Sequence, residues 1–442
     1  MKKIIFILVC ITTLASNAQR SNARWLHQAD NALTAVLVHD VFSPPVASRV
    51  YLYSHIAAYE AIVHAIPQSG FVSLKNSIKN FPIIPHTTEP INIELASVAA
   101  FYYTADKYVF SEKALQDSFA IVLKNFKNLA AKSNALYQHS LQYGRQVADS
   151  IIAWSNSDHY STTRKIKRYT FSKEPGKWVP TPPAYIAAVE PYWYQMRTVA
   201  MDSAAQFALA SHNDFSIDST SNFFKKAYEV YKTGNDLTPQ QRLIASFWDC
   251  NPFNVNTAGH LMFATKKLSP GGHWMNIVKL CCEQKHADLA TSAAAYVLTS
   301  IALYDGFIGC WYVKYRDNLI RPETYINAHI DARWQPLLQT PPFPEYPSGH
   351  SVISTAAAVV LSNFFGDHFS FADNTEVIYG LPLRHFSSFM VAANEAAISR
   401  LYGGIHYRDA VEDGQVLGKQ IGECVLRKIK LSDALAGNLS AN

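Results

Sequence analysis

The chain has 442 residues, of which 49% are hydrophobic and 17% charged, and its formal net charge is +5 at pH 7. This composition excludes a disordered chain and is sufficient for a sizeable buried core in one or two domains. Without residues 1–18 the charge falls to +3, because Lys2 and Lys3 are the only charged residues lost. Such a small excess argues against a nucleic-acid partner.

Residues 1–18 have the pattern of a secretory signal. Lys2 and Lys3 precede an apolar run over 4–14, and Ser16-Asn17-Ala18 offers small residues at a cleavage point. A lipoprotein signal ending at Cys10 is disfavoured, because it would cut the apolar run in its middle. We therefore predict export, to the periplasm or out of the cell.

Downstream of the signal, apolar residues recur with a helical period along almost the whole chain. Helices are expected over 46–66, 93–110, 112–132, 134–154, 222–233, 239–248, 256–266, 273–282 and 287–315. The proline-rich passage between Tyr160 and Pro191 opposes helix and is predicted to be a domain connector or a lid. The pattern predicts an all-α fold of two packed helical bundles, with an N-terminal region over 19–200 and a C-terminal domain over 201–442.

Neither a membrane span nor a divalent-metal site is predicted downstream of the signal. The longest uncharged apolar stretches, 292–304 and 351–365, are shorter than the ~20 residues of a bilayer crossing. His64 has Glu60 at helical spacing, which we interpret as an ordinary contact on a helix surface. The remaining cysteines lack the spacing of a zinc site or a disulfide frame and are expected to be buried free thiols: Cys250, Cys281, Cys282, Cys310 and Cys424.

Three short motifs in the last third of the chain bring together basic and histidine side chains. They are Lys314-x6-Arg321-Pro322, Pro347-Ser348-Gly349-His350 and Ser399-Arg400-x5-His406. Together they supply forked guanidinium donors, a point-charge ammonium and backbone N–H groups, which a tetrahedral oxyanion requires. The motifs therefore predict an oxyanion pocket, and the two histidines give that pocket chemical groups.

Each motif has a local structural expectation. If the helix through Lys314 continues, Arg321 projects from the same face two turns later. The proline-rich run over 339–347 delivers Ser348 and Gly349 to a helix N-terminus, where free N–H groups and positive partial charge favour an anion. N-capping alone would explain Ser348 but not His350. His406 is expected on a turn or a new helix.

The order and spacing of these motifs resemble the superfamily of type 2 phosphatidic acid phosphatases and vanadium-dependent haloperoxidases. Trp311 and the Pro-Phe-Pro-Glu-Tyr run before Pro347 are similar to the chloroperoxidase-type enzymes, and the segment over 247–252 is similar to the soluble bacterial haloperoxidase-like branch. The resemblance covers nearly the whole mature chain and is strongest over 305–410. It implies two packed helical bundles and a vanadium haloperoxidase that converts halide and hydrogen peroxide to hypohalous acid.

The resemblance also implies roles for the motif residues. Vanadate would be the cofactor, with His406 as the metal ligand and with its oxygens held by Lys314, Arg321, Ser348, Gly349 and Arg400. His350 would act as general acid and base, and Lys314 would polarise the bound peroxide.

The residues that orient the two histidines are left open by the sequence. The phosphatase pattern has an aspartate four residues after the site histidine, where this chain has Ala410. Asp409, Asp413 or a backbone carbonyl would therefore orient His406. Asp249 and Asn251 are the alternatives for His350.

Two other functions fit the same residues. In a soluble acid phosphatase, His406 would attack the phosphorus of a phosphate ester and His350 would protonate the leaving oxygen. A non-catalytic phosphate- or vanadate-binding protein would not need His350. A homodimer is an open alternative for either enzyme.

Overall fold

The computed structural model describes residues 22–66, 69–211, 214–258, 261–264 and 266–432, so the predicted signal over 1–18 lies outside the described residues. Fifteen α-helices occur in this part of the chain: α1 Arg24–His39, α2 Pro44–Ala65, α3 Ile93–Asp106, α4 Glu112–Asn125, α5 Lys127–Lys132, α6 Asn134–Ser155, α7 Tyr160–Thr163, α8 Asn222–Asn235, α9 Pro239–Phe247, α10 Pro270–Gln284, α11 Leu289–Asp317, α12 Pro322–His329, α13 Gly349–Phe365, α14 Phe389–Tyr402 and α15 Arg408–Lys428. Two antiparallel strand pairs are also present: β1 Val255–Ala258 with β2 Leu261–Ala264, and β3 Phe371–Asp373 with β4 Arg384–Phe386. Within the described residues, three short 3-10 helices span Leu74–Asn76, Trp193–Gln195 and Val377–Tyr379.

The structure confirms the predicted all-α fold, with two local corrections. The segment over 256–266 is wrong as a helix, because Val255–Ala258 and Leu261–Ala264 pair as antiparallel strands. The β-branched Val255 and Thr257 alternate there with Asn256, a pattern that favours an extended chain. The helix expected over 112–132 is interrupted at Phe126 between α4 and α5.

Helix α11 lies between the two groups of helices and joins them. It packs against α2, which contacts α3 and α6, and on its other side against α13 and α15. Among the described residues α11 alone has the length and apolar composition to cross a membrane, but its apolar window is completely buried within the protein. The helix that carries Lys314 is therefore the shared core of the fold.

Two smaller expectations have different outcomes. All five predicted free cysteines are buried and unpaired by disulfides, which confirms that expectation. Glu60 and His64 do form a pair, with Oε2 and Nε2 3.2 Å apart, but Glu60 is fully buried rather than on the helix surface. Its carboxylate accepts hydrogen bonds from the Ser73 hydroxyl and the Leu74 N–H, so it fixes the chain that follows α2.

Glycines at four-residue spacing allow α15 to pack closely against α13. A Cβ added to Gly418 would lie 2.2 Å from the Val352 carbonyl oxygen, and one added to Gly414 would lie 3.0 Å from the Ser348 carbonyl oxygen. The Ser348 N–H donates to the Ala410 carbonyl at 2.9 Å. The N-terminus of α13, where the second motif lies, is thus held in place by the start of α15.

We predict that Gly418→Ala lowers the free energy of unfolding by about 1–3 kcal/mol, because the new methyl group can fit only if the two helix backbones separate. Gly271→Ala in α10 is the matched control, since its Cβ would meet no atom closer than 3.8 Å. Denaturant unfolding of both variants tests this prediction. Equal stabilities would contradict the close-packing argument.

Candidate active site

Lys314 and Arg321 converge although they do not share one helix. Helix α11 ends at Asp317, and Asn318 adopts a left-handed conformation with φ of 52°. Arg321 is the N-cap of the next helix, which begins at Pro322. The condition of a continuous helix through both residues is therefore not met, because the left-handed residue turns the chain before Arg321.

The Lys314 ammonium is fully buried and is surrounded by backbone carbonyls. Its Nζ donates to the carbonyl oxygens of Pro344 and Glu345, both at 2.9 Å, and to that of Pro347. Burial lowers the pKa of Lys314 to about 7, and Arg321 acts in the same direction. Lys314 therefore anchors the extended chain before α13, and all three of its protons are used there.

Arg321 is also fully buried and leaves one donor nitrogen free. Its Nε donates to the Phe343 carbonyl at 2.9 Å, and its Nη1 donates to the Ile405 carbonyl at 2.8 Å. Nη1 also lies 3.1 Å from Nε2 of His406. Within the described part of the chain, the buried Nη2 has no hydrogen-bond partner.

Ser348 and Gly349 form the open N-terminus of α13. The Ser348 hydroxyl caps the helix by accepting from the Ser351 N–H at 3.3 Å. A Cβ on Gly349 would meet Trp311 at 3.7 Å and Cys310 at 4.0 Å, which are ordinary contacts. The missing side chain therefore leaves the start of the helix accessible, and packing within the protein does not by itself require glycine there.

His350 and Arg400 face one another across the same space. Arg400 Nη1 lies 3.3 Å from Nε2 of His350, and Arg400 Nε donates to the Ser399 hydroxyl at 3.1 Å. The buried Nη2 of Arg400 has no partner among the described residues. Burial, reinforced by the Arg400 charge, holds the pKa of His350 well below its usual value.

The side chains proposed to orient His350 have other partners. Asp249 pairs with Lys267 at 2.6 Å, and the Asn251 side-chain oxygen accepts from the Phe253 N–H at 3.0 Å. The backbone of Trp248 acts to raise the pKa of His350 against the effect of burial. Neither Asp249 nor Asn251 therefore orients His350, and the hydrogen-bonding contact of its ring is with Arg400 Nη1.

Glu345, which the sequence analysis did not assign, orients His406. Its Oε1 accepts from Nδ1 of His406 at 2.8 Å and from the Tyr407 N–H at 3.0 Å. With the proton on Nδ1, the Nε2 lone pair of His406 faces Arg321. Asp409 instead pairs with Lys226 at 2.6 Å, and Asp413 accepts from the Tyr346 hydroxyl at 2.9 Å.

Burial controls the protonation of this pair. It raises the pKa of Glu345 to about 8, against the opposing effect of Arg321 and Lys314. It also holds the pKa of His406 well below its usual value, with Arg321 as the next cause. Because Glu345 Oε1 already accepts two hydrogen bonds, an added proton would lie on the unpartnered Oε2 and leave both bonds intact.

Residues of the second and third motifs line a small cavity, and Arg321 of the first motif reaches it through His406, whose Nε2 lies 3.1 Å from Arg321 Nη1. Its polar lining includes Gly349, His350, Arg400 and His406 together with Asp249, Cys250, Asn251 and Gln339. Its apolar wall is built from aromatic and proline side chains: Phe253, Phe307, Trp311, Phe343, Pro44, Pro252, Pro270 and Pro341. A polar floor under an apolar wall suits a small charged reactant that must lose part of its hydration.

The residues present fit a tetrahedral oxyanion such as vanadate. Among the described residues, two buried guanidinium nitrogens, one each from Arg321 and Arg400, have no hydrogen-bond partner. Gly349 is the first residue of α13, where the N–H groups of a helix have no intrahelical partner. His406 Nε2 supplies a lone pair beside them. These features define a helical oxyanion-binding enzyme with two site histidines.

The comparisons with known proteins identify the family. Residues 294–432 match the model of the VCPO second helical-bundle domain. The crystal structure of a bacterial vanadium-dependent iodoperoxidase is 44% identical, with a TM-score of 0.87, covering 93% of this chain and 97% of that chain. The holo-type structure of a bacterial vanadium-dependent chloroperoxidase is 14% identical, with a TM-score of 0.68 and the same two coverages. An apo-type chloroperoxidase structure is 14% identical, with a TM-score of 0.63, covering 88% of this chain and 94% of that chain.

The chain belongs to the vanadium-dependent haloperoxidases. A comparison with curated proteins gave no significant match. The structural match confirms the predicted superfamily, fold class and enzyme class, with vanadate as cofactor and with peroxide and halide as the implied substrates. The two chloroperoxidase matches support the fold.

We predict that Glu345→Leu weakens vanadate binding by about 10–100-fold, because His406 loses the partner that fixes its tautomer and ring orientation. Glu345→Gln should keep most of the affinity, since its amide oxygen can accept the same two hydrogen bonds. Asp413→Asn should leave binding unchanged. Vanadate titration with circular dichroism as a folding check measures this, and wild-type affinity in folded Glu345→Leu would contradict the orienting role.

A second prediction concerns pH. Because the pKa of Lys314 in the free site is about 7, its positive charge is present below this pH and is lost above it. A bound dianion stabilises the charged lysine, so binding takes up a proton, and sulfate affinity should fall by up to about tenfold per pH unit above roughly pH 7. Sulfate is used as the probe because its own charge does not change across this pH range, so a change in affinity reports on the protein.

Calorimetric titration with sulfate at constant ionic strength provides the measurement. In Lys314→Met the affinity should be weaker overall and should fall less steeply with pH. A wild-type affinity that does not change with pH would show that Lys314 stays charged in the free site.

Proposed function

We propose that this enzyme oxidises iodide in preference to bromide and chloride. The 44% identity with a bacterial vanadium-dependent iodoperoxidase over 93% of the chain supports the proposal. The apolar wall formed by Trp311, Phe343 and Phe253 supports it independently, because a large anion such as iodide loses less hydration energy on entering such a site than chloride does. Reaction with hydrogen peroxide would then give hypoiodous acid.

The single observation that carries the vanadate site is the pair of unpartnered guanidinium nitrogens beside His406. We assign Nε2 of His406 as the vanadium ligand. The free Nη2 atoms of Arg321 and Arg400, the Gly349 N–H and the Ser348 hydroxyl would hold the oxygens. Bound vanadate supplies the centre at which hydrogen peroxide becomes a two-electron oxidant for halide.

His350 is placed to move the proton of the incoming peroxide. The ring is partly exposed to the cavity, and its lowered pKa keeps it neutral near pH 7. Because the Arg400 guanidinium can only donate, Nε2 of His350 presents its lone pair to Arg400 Nη1, 3.3 Å away. It can therefore take a proton from peroxide and return it to the product.

Lys314 would act through its charge and through the chain that it holds. Its three hydrogen bonds go to carbonyls, so a direct bond to peroxide would require it to release one of them. Its ammonium still stabilises negative charge at the site, since little water screens a buried group. Export of the enzyme, proposed from residues 1–18, would place this chemistry outside the cytoplasm.

The test is halide oxidation by the vanadate-free enzyme before and after orthovanadate is added. We expect vanadate-dependent turnover with kcat/KM for iodide above that for bromide by about tenfold or more, which corresponds to ~1.4 kcal/mol of transition-state preference. Excess phosphate should compete. His350→Ala should bind vanadate but lose turnover, whereas His406→Ala should lose binding.

Hydrolysis of p-nitrophenyl phosphate by the same preparation tests the phosphatase alternative. Rapid hydrolysis that vanadate inhibits, together with no halide oxidation, would replace the haloperoxidase assignment. Preference for bromide over iodide would overturn the halide proposal alone.

A further inference from the structure

A second cluster of ligand-type side chains adjoins the active-site cavity, and one of its members, Cys250, lines that cavity. It consists of Cys250 after α9, His273 on α10 and Glu376 between β3 and β4, and all three are buried. Their ligand atoms lie within 4.8 Å of one another. None of the three belongs to the oxyanion-binding set.

The distances between these ligand atoms match the edges of a tetrahedral zinc site. Cys250 Sγ lies 3.4 Å from Nδ1 of His273 and 3.8 Å from Oε1 of Glu376, and Nδ1 lies 3.3 Å from Oε1. Zinc bond lengths of ~2.3 Å to sulfur and ~2.0 Å to nitrogen and oxygen give tetrahedral edges of roughly 3.5 Å for both pairs that include sulfur and roughly 3.3 Å for the nitrogen–oxygen pair.

Hydrogen bonds alone explain the distances among Cys250, His273 and Glu376 less well than a bound metal ion does. A charged N–H donor and a carboxylate normally lie ~2.7–2.9 Å apart, and one Nδ1 proton cannot serve both Cys250 and Glu376 well. The other ring nitrogen, Nε2, lies 2.7 Å from Asp373 Oδ2. Asp373 Oδ1 in turn accepts from the Thr375 N–H at 2.9 Å.

The contact with Asp373 determines which ring nitrogen of His273 carries the proton. A proton on Nε2 satisfies Asp373 and directs the Nδ1 lone pair at Cys250 and Glu376. This is the carboxylate–histidine–metal arrangement that fixes the tautomer of a metal-bound histidine. Without a cation, Nδ1 could face the Glu376 carboxylate favourably only by carrying a second proton on the ring.

We propose that Cys250, His273 and Glu376 bind a divalent cation of the zinc class, separately from vanadate. The thiolate selects a borderline-soft metal over magnesium or calcium. The ion would connect three distant chain segments next to the active site. Trp248, whose ring stacks on His273 with centroids 4.5 Å apart, has the backbone that contacts His350. The metal would therefore fix the wall that positions His350.

The test uses the full chain purified without chelators, incubated with zinc and desalted. Elemental analysis should find about one zinc per chain. After zinc is stripped and replaced by cobalt, a thiolate-to-cobalt charge-transfer band should appear in the near ultraviolet. Neither readout depends on vanadate or on halide oxidation.

Three variants locate the ion. Cys250→Ser and Glu376→Gln replace each side chain by one of similar size and geometry, and both variants should lose most of the bound zinc. Cys250→Ser should also lose the cobalt band. Cys424→Ala, which removes another buried free thiol, is the matched control and should keep both signals. Circular dichroism of each variant checks that the fold is retained.

Two outcomes would overturn the proposal. The first is wild-type protein that retains no stoichiometric zinc and shows no thiolate band with cobalt. The second is a folded Cys250→Ser variant that keeps the same band as Cys424→Ala, because the metal would then lie elsewhere. The cobalt spectrum of the wild type decides the first point even if every variant fails to fold.

Discussion

The architecture of the site depends on the hydrogen bonds that satisfy two buried cations, Lys314 and Arg321. A buried ammonium or guanidinium group is costly unless hydrogen bonds satisfy it. Lys314 and Arg321 meet this requirement with carbonyl oxygens of residues 343–347 and of Ile405. These contacts fix the extended chain that carries Glu345 and ends at Ser348. The same basic residues that define the oxyanion motif therefore first build the frame of the pocket, and only the donors left over face the anion.

Burial and the nearby cations also determine the protonation state of the two site histidines. Burial and the nearby positive charges hold the pKa values of both His350 and His406 well below the usual histidine range. Each ring is then neutral at neutral pH, and each presents one lone pair. In His406 the contact with Glu345 leaves the Nε2 lone pair for the vanadium that we propose it binds, and in His350 the Nε2 lone pair faces Arg400, where we propose it acts as a base. Two similar rings thus acquire different roles through the partner on the far nitrogen.

The sequence predicted what depends on short-range order. Ser348 and Gly349 were expected at a helix N-terminus because a proline-rich run precedes an apolar helix, and the structure places them there. Glu345 was missed because it lies 61 residues before His406, whereas Asp409 and Asp413 are close in sequence and turn toward Lys226 and Tyr346. The Cys250 cluster was missed for the same reason, since its members come from three separate segments. Motif spacing identifies groups on one element, but pairings across elements depend on packing that spacing does not encode.

Helix ends explain why the motif residues meet at one place. Arg321 is the N-cap of α12, Ser348 is the N-cap of α13, and His406 directly precedes Tyr407, the N-cap of α15. The N-terminus of α13, which lines the cavity, adds free N–H groups and positive partial charge, so the preference for an anion arises from backbone as well as side chains. The polar floor is therefore constrained by the positions of three helices, and α13 in turn by the glycines of α15. The apolar wall is built from other side chains, among them Phe253, Trp311 and Phe343, and these supply no donor to the anion. Halide preference should consequently change through substitutions in this wall, while the vanadate-binding floor stays the same.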